Sequence, residues 1–269
     1  MALAKLAQSA RFWLGYGANW LKEWLLAEGR MPPVRWLPWG SSWCYDLRRC
    51  FAAAGKTSPR IIFDVGANIG ETALHMRLHF PRAKIHAFEP VEAVFEVLKK
   101  RTQEDALTVA HNFALGAVTR EQSITLYKNS EFNTLKPDPG NCSQQKIGEA
   151  VVQVKSLDDF LAEWKIAGID FLKMDVQGYE IEVLRGAKVA LSNGMLKAVL
   201  AEVDFSGKSS EFTHFKDIHE VLRCNGFHFL NLYECYRYGC YREFLLFCNA
   251  LWVNWDELYS HAKDAESSC

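Results

Sequence analysis

A chain of 269 residues has room for one large domain, or for one domain with an appendage. Apolar residues make up 49% and charged residues 23%, ordinary values for a packed globular protein. The 31 Lys and Arg nearly balance the 32 Asp and Glu, so no global field draws the chain to nucleic acid, and a basic nucleic-acid binder is disfavoured.

The N-terminal segment ALAKLAQSARFWLGYGANWLKEWLLAEGR has no apolar run long enough to span a bilayer, because Lys5, Arg11, Lys22 and Glu23 interrupt it. It also lacks the pattern of a secretory signal, since its positive region is a single lysine and Arg11 breaks the apolar stretch. Trp20, Leu21, Trp24 and Leu25 recur at helical spacing and predict an amphipathic helix. We expect that helix to cap the core or the substrate cleft; the sharper reading is peripheral membrane contact, with tryptophans at headgroup level. Residues 1–58 form a helical, Trp-rich extension closed by the loop GKTSP; the main domain then runs over 59–256, with a tail over 257–269. Of the eight cysteines, Cys224, Cys235, Cys240 and Cys248 are close together, but no C-x-x-C pair occurs and the spacings match no zinc pattern. Cys142 stands alone in a loop and Cys269 is the last residue. Free thiols in a reducing compartment, hence a cytoplasmic protein, are the expectation.

A strand over 61–64 runs into Asp64, a turn through Gly66, Ala67, Asn68 and Gly70, and a helix over about 70–80 containing Thr72. Strand, glycine turn and helix in that order build the first ligand-binding crevice of an open parallel α/β sheet. The glycines let the backbone turn tightly, and the helix aims its N-terminal amides into the crevice. A second strand over 84–88 ends at Glu89, where an acid can receive the hydroxyls of a ribose. A dinucleotide fingerprint would place a second glycine where Asn68 stands, so that backbone could meet a pyrophosphate. A bulkier turn behind an acid suits S-adenosylmethionine (SAM), with Asp64 and the turn amides holding its amino-acid portion and Glu89 its ribose.

A helix over about 91–102 follows, then LTVAHNFAL as a third strand with a turn, then ITLYKN and a long polar loop. VVQVKSL is a strand, and Ser156 or Asp158 caps the helix DDFLAEWKIAG. FLKMDV is a buried strand ending at Asp175, QGYEIEVLRGAKVAL a helix, KAVLAEVD a strand, and EFTHFKDIHEVLRCNG a helix closed by Gly226. FHFLNLYE and FLLFCNALWVN have too short a linker between them for a crossover and should pair antiparallel at one edge. The fold class is therefore α/β: a mostly parallel, Rossmann-like sheet with a C-terminal antiparallel strand, the architecture of class I methyltransferases.

The ordered set FDVGANIGET, AFEP, NFALG, SLDDFL, IDFLKMDVQGYEIEVLRGA and LAEVD, from about Ile61 to about Val203, resembles the FkbM-type methyltransferases. The resemblance implies a SAM-dependent enzyme that methylates hydroxyl oxygens on macrolide, sugar or related metabolite and glycan acceptors. It places Asp64, Gly66, Asn68 and Gly70 on the cofactor turn, Glu89 on the ribose, and Ala114 and Leu115 beside the adenine. One position departs from the family's K-x-D-x-E-G-x-E pattern: its first Glu is Gln177 here, while Lys173, Asp175, Gly178 and Glu180 are kept.

An alcohol must lose a proton as it attacks a methyl group, so a positioned base or a metal helps. Asp175 and Glu202 end adjacent strands and are the candidate catalytic acids, with Lys173 on the same strand face as Asp175. Lys173 reads equally as a structural ion pair or as a tuned acid/base. Asp175 and Glu202 could also hold Mg²⁺, which is not favoured because a third ligand is not evident. Glu180 reads as a helix-start acid. His75 and His79 lie at i and i+4 without the Glu of a zinc helix and read as surface residues; His111 lies near the adenine region, and His214 is the candidate if the base is a histidine. The segment 130–140, with Phe132, Asn133 and Thr134, is a candidate substrate-contacting loop. The reading is O-methylation of a small-molecule or glycan hydroxyl; an N-methyltransferase, a SAM-binding protein without catalysis and, last, an NAD dehydrogenase are the alternatives.

Overall fold

The computed structural model describes residues 38–137, 144–207, 212–240 and 243–259. The expected amphipathic N-terminal helix, Cys142, Cys269 and most of the expected tail lie outside the described residues.

The described part of the chain opens with α1 (Trp43–Ala53) and then alternates through β1 (Ile61–Val65), α2 (Glu71–His79), β2 (Lys84–Phe88), α3 (Glu92–Thr102) and β3 (Thr108–His111). A side excursion follows: β4 (Ala114–Gly116), β5 (Arg120–Tyr127), a single 3₁₀ turn over Ser130–Phe132, and β6 (Lys146–Ser156). The chain then resumes with α4 (Leu157–Trp164), β7 (Phe171–Met174), α5 (Glu180–Arg185), α6 (Lys188–Ser192), β8 (Ala198–Asp204) and α7 (Phe215–Cys224). The described residues end with β9 (Phe227–Tyr238), β10 (Phe244–Asn254) and α8 (Trp255–Tyr259).

Among the described residues, seven strands form the main sheet in the order β3-β2-β1-β7-β8-β10-β9, and β10 runs antiparallel to both of its neighbours. The late antiparallel pair is thus at the sheet edge, as its short linker requires. A second sheet of three strands, β4-β6-β5, sits beside it. Expected as one strand with a turn, LTVAHNFAL divides: β3 stays in the main sheet, and β4 crosses to pair with β6.

Both faces of the main sheet are covered, so its strands are near-continuously apolar. Alternation sends Phe63, Leu172, Val199 and Ala201 to one side, where α4, α5 and α7 contribute Phe160, Val183 and Leu222. Ile62, Phe171, Ala198 and Leu200 face the other side, against α1, α2 and α3. There Trp43 stacks on Phe171 with ring centroids 5.4 Å apart. Ser156 caps α4 by accepting from the Asp159 amide, the first of its two expected candidates. The helix expected from 177 to 191 breaks into α5 and α6 around Gly186, whose missing Cβ would lie 1.9 Å from the Gly116 carbonyl oxygen. Only glycine lets that turn press against β4.

The chain builds β1, β2 and β3 outward in one direction and then returns to lay β7 and β8 on the other side of β1. That reversal opens a crevice beyond the carboxyl ends of β1 and β7, the place where such sheets bind ligands. Among the described residues, no helix is long and apolar enough to cross a membrane.

Candidate active site

The crevice is a cavity of about 600 Å³ running from the β1 turn to the ends of β7 and β8. That volume suits a nucleoside-sized cofactor plus part of an acceptor. The turn after β1 is bent through positive φ at Gly66 (77°), Asn68 (46°) and Gly70 (85°). Its first two amides are committed to the fold: Gly66 and Ala67 both donate to the Phe88 carbonyl, tying the turn to β2. At Gly66 a Cβ would stand 1.9 Å from the Asp175 carbonyl oxygen, so this glycine also allows β7 to close against the turn. Gly70 caps α2 and faces Leu98 on α3; it shapes the turn without lining the cavity.

Gly66, Ala67, Asn68, Thr72 and Glu89 line the cavity, as do Ala114 and Leu115. Glu89 accepts from the Val91 amide at 2.9 Å and is also held by the Asn68 amide. Burial pushes its pKa up to about 7, against the pull of those two amides. Apolar Leu115, Ile124 and Leu135 form a wall near it. An acid at the strand tip beside an apolar slot has the chemistry an adenosine needs, an acceptor for ribose hydroxyls and a flat apolar surface for a base.

Asp64 is placed differently from the expectation. It is completely buried and outside the lining, so it does not reach a ligand's amino group directly. Lys173 Nζ lies 3.2 Å from Asp64 Oδ1, 3.5 Å from Asp175 Oδ2 and 3.5 Å from the Gly66 carbonyl oxygen. Burial works to lower the Lys173 pKa, but the two carboxylates outweigh it and raise it overall. Of the two readings of Lys173, this geometry supports the ion pair: an ammonium so held takes no proton from an acceptor. It tethers the cofactor turn to β7 and leaves one edge of Asp175 facing the cavity.

At the far end stand Asp175 and Glu202, joined by the one residue that departs from the family pattern. Gln177 Nε2 donates to Asp175 Oδ1 and to Glu202 Oε2, each at 3.1 Å. Gln177 adopts a left-handed φ of 51°, and its own carbonyl accepts from Thr134 Oγ1 at 2.8 Å. Backbone strain of this kind persists where the surroundings over-determine it, commonly at functional sites. Burial, then the nearby charges of Asp175 and Glu180, raise the Glu202 pKa well above the usual carboxylate range. Because an amide donor already satisfies this carboxylate pair, the Mg²⁺ reading gains no support from the geometry.

Other candidates resolve into structural roles. Glu180 is buried and accepts from the Val176 and Gly178 amides and from the Thr213 hydroxyl, so it braces the turn before α5. His214 caps α7 by accepting from the Lys216 amide at 3.1 Å and is not in the cavity wall. His111 lies behind the wall, its ring 2.9 Å from His86 and stacked on Phe88. The expectation that His79 is a surface residue is overturned: it is 3% exposed, under the core face of α2.

The polar loop does reach the site. Phe132 and Asn133 line the cavity, and Ser130 Oγ donates to Asn68 Oδ1 at 2.9 Å, pinning the loop to the cofactor turn. A second group carried no sequence signal. Phe212, Tyr236 and Phe247 form an aromatic wall beside Glu202, with Phe247 stacked between the other two at centroid distances of 4.9 Å. Tyr236 on β9 and Phe247 on β10 are register partners, and Phe247 in turn pairs with Asp204 at the end of β8, which aims them here.

A doubly wound sheet with one antiparallel strand, and an adenosine-type cavity at its reversal point, define a class I methyltransferase domain. The chain belongs to the FkbM methyltransferase family: the family's model, described as Methyltransferase FkbM domain, matches residues 64–229. Methyltransferase sdnD of Sordaria araneosa is 34% identical over 171 residues, covering 53% of this chain and 64% of that protein. The 31-O-demethyl-FK506 methyltransferase FkbM of Streptomyces tacrolimicus is 30% identical, covering 62% of this chain and 72% of its own. Hexuronic acid methyltransferase AglP of Haloferax volcanii is 26% identical, over 61% and 66% of the two chains. The chain thus spans slightly less than two thirds of sdnD. SAM is the cofactor of this family's fold, and the cavity residues fit it.

Proposed function

We propose that this protein transfers a methyl group from SAM to a hydroxyl oxygen of a sugar-like or polyketide-like small molecule. The observation that carries the reading is the Asp175–Gln177–Glu202 arrangement at the aromatic end of the cavity. When bound, SAM supplies an activated methyl on a sulfonium, so displacement needs alignment more than covalent help from the protein.

The chain's residues supply the rest. Glu89 and the apolar slot hold the nucleoside, and the turn from Gly66 to Thr72 cradles the amino-acid end. Phe212, Tyr236 and Phe247 offer flat faces against which an acceptor ring packs. Its hydroxyl then points at the carboxylate pair. As the new O–CH₃ bond forms, the hydroxyl proton passes to Asp175 or Glu202. Burial and the neighbouring carboxylates raise the proton affinity of Glu202, which favours it for that step. Gln177 holds both acids in register with one N–H each. A hydroxyl target is favoured over an amine because an amine needs far less help in losing its proton. The names of two relatives, a 31-O-demethyl-FK506 methyltransferase and a hexuronic acid methyltransferase, are consistent with this acceptor class.

The test is incubation of the purified chain with SAM and a panel of glycans, uronic acids and macrolactones, with mass detection of one added methyl. Transfer to a hydroxyl, lost in Asp175→Asn and Glu202→Gln with SAM binding retained, is the expected result. Methylation of amines alone, or SAM binding without turnover on any acceptor, overturns the proposal.

A further inference from the structure

Behind the cofactor turn, on the opposite face of the sheet from α4, α1 and α2 bring together three side chains that the reaction does not use. These are Cys44, His75 and His79, and one ligand atom of each lies within 4.8 Å of the others. Cys44 and His79 are buried, at 0% and 3% exposure. The His75 and His79 rings stand 4.9 Å apart and nearly perpendicular, and Trp43 closes on His75 edge-to-face at 5.8 Å.

We propose that Cys44, His75 and His79 form a Zn²⁺ site that clamps α1 to α2. The donor types select the ion: one thiolate and two imidazoles suit zinc, whereas Mg²⁺ and Ca²⁺ require oxygen ligands, and none is in the cluster. The spacing also fits, since i and i+4 put both imidazoles on one face of α2 and Cys44 meets them from the facing helix. The sequence argument against a zinc helix was the missing Glu, but in H-E-x-x-H that Glu serves as a catalytic base and does not bind the metal. Its absence therefore removes protease chemistry and leaves the binding geometry intact. Bond lengths of about 2.3 Å to sulfur and 2.0–2.1 Å to nitrogen imply donors roughly 3.3–3.7 Å apart around a tetrahedral zinc. From separations of at most 4.8 Å, the three donors reach that spacing by closing no more than about 1.5 Å, which side-chain rotations on two adjacent helices supply; the fourth position would fall to a water.

The role follows from position. The first turn of α2 carries Thr72, which lines the cofactor cavity, while His75 and His79 sit one and two turns further on. With a rise of about 1.5 Å per residue, the ion would lie roughly 5–10 Å behind the cavity and could not touch an acceptor. It would be structural, holding the helix whose start shapes the cofactor turn.

The test uses the whole chain without a histidine tag, purified from zinc-containing medium and dialysed, with zinc read by mass spectrometry. About one zinc per chain is expected, lost in Cys44→Ser and in His79→Asn. Zinc should be retained when the exposed Cys224, Cys235 and Cys240 are replaced by serine. Because a variant could fail to fold, the wild-type chain provides two further readouts. Replacement with Co²⁺ should give a thiolate-to-cobalt charge-transfer band, and a strong chelator should lower the melting temperature. Wild-type protein without zinc, or zinc that persists in Cys44→Ser, overturns the proposal; so does a melting temperature unmoved by chelator. Methyl transfer is not the readout, so failure here leaves the proposed reaction untouched.

Discussion

Lys173 Nζ lies 3.2 Å from Asp64 Oδ1, and both side chains are almost wholly removed from water. A charge in such a place is tolerable only while its partner is present, because removing one member leaves the other buried and unpaired. Asp64→Asn should therefore destabilise the fold by about 3–5 kcal/mol and loosen the turn that meets the cofactor. Urea unfolding measures the first effect and calorimetric SAM titration the second. If the unfolding midpoint stays where it is in the wild type, Asp64 does not hold Lys173 in the way described.

Glu89 gives a pH signature. Its carboxyl has a pKa of about 7 in the fold, above the ordinary carboxylate value, so the folded chain binds this proton more tightly than the unfolded chain does. The group's contribution is thus most favourable below the unfolded pKa and declines as pH rises toward about 7. Ribose hydroxyls donate to the charged form, so SAM should bind more tightly as pH rises to about 7 and release a proton on binding below it. Calorimetry in buffers of different ionisation enthalpy reads that proton directly. Glu89→Gln should abolish both the proton release and most of the affinity; unchanged binding in this variant would remove Glu89 from the cofactor site.

Gln177→Glu restores the family's usual residue and places a third carboxylate against Asp175 and Glu202. Like charges at hydrogen-bond distance disfavour ionisation, so the pKa of the proton-accepting group rises. The rising limb of the activity profile should move to higher pH, by on the order of one unit. A profile that stays in place would mean that neither carboxylate takes the proton.

Gly66→Ala should be among the most damaging single changes in the chain. The new methyl would meet a backbone oxygen of Asp175, and φ is 77°. Neither wall is a flexible side chain that could move aside. We expect a fold less stable by more than the roughly 1–2 kcal/mol attached to a left-handed φ alone, together with lost SAM binding. Wild-type stability and affinity in this variant would contradict the close approach of the turn to β7.

The aromatic wall predicts a separation of effects. Phe247→Ala should raise the KM for the acceptor while leaving SAM affinity within about twofold, because its ring packs beside Glu202 and away from Glu89. Steady-state kinetics with each substrate varied in turn checks this; a change confined to the SAM constant would place Phe247 at the wrong end of the cavity.

By itself, the sequence determined the parts that a local pattern encodes. Strand, glycine turn and helix over 61–72 are written in apolar period and in residues that accept positive φ, and the structure follows them almost residue for residue. The same holds for Glu89 at the tip of β2, the Ser156 cap and the antiparallel edge hairpin, each set by residues within a few positions of one another. What only the tertiary structure decided is adjacency between distant segments. Nothing near Asp64 announces Lys173, 109 positions away, because their meeting depends on β7 inserting beside β1. Gln177 between Asp175 and Glu202, the aromatic wall from two separate segments, and Cys44 against two histidines of α2 share that origin. Periodicity reports which face a side chain takes, and hydrophobic burial then selects the strand order that brings those faces together. The cofactor turn was therefore legible from twelve residues, while the chemistry beside it had to wait for the sheet.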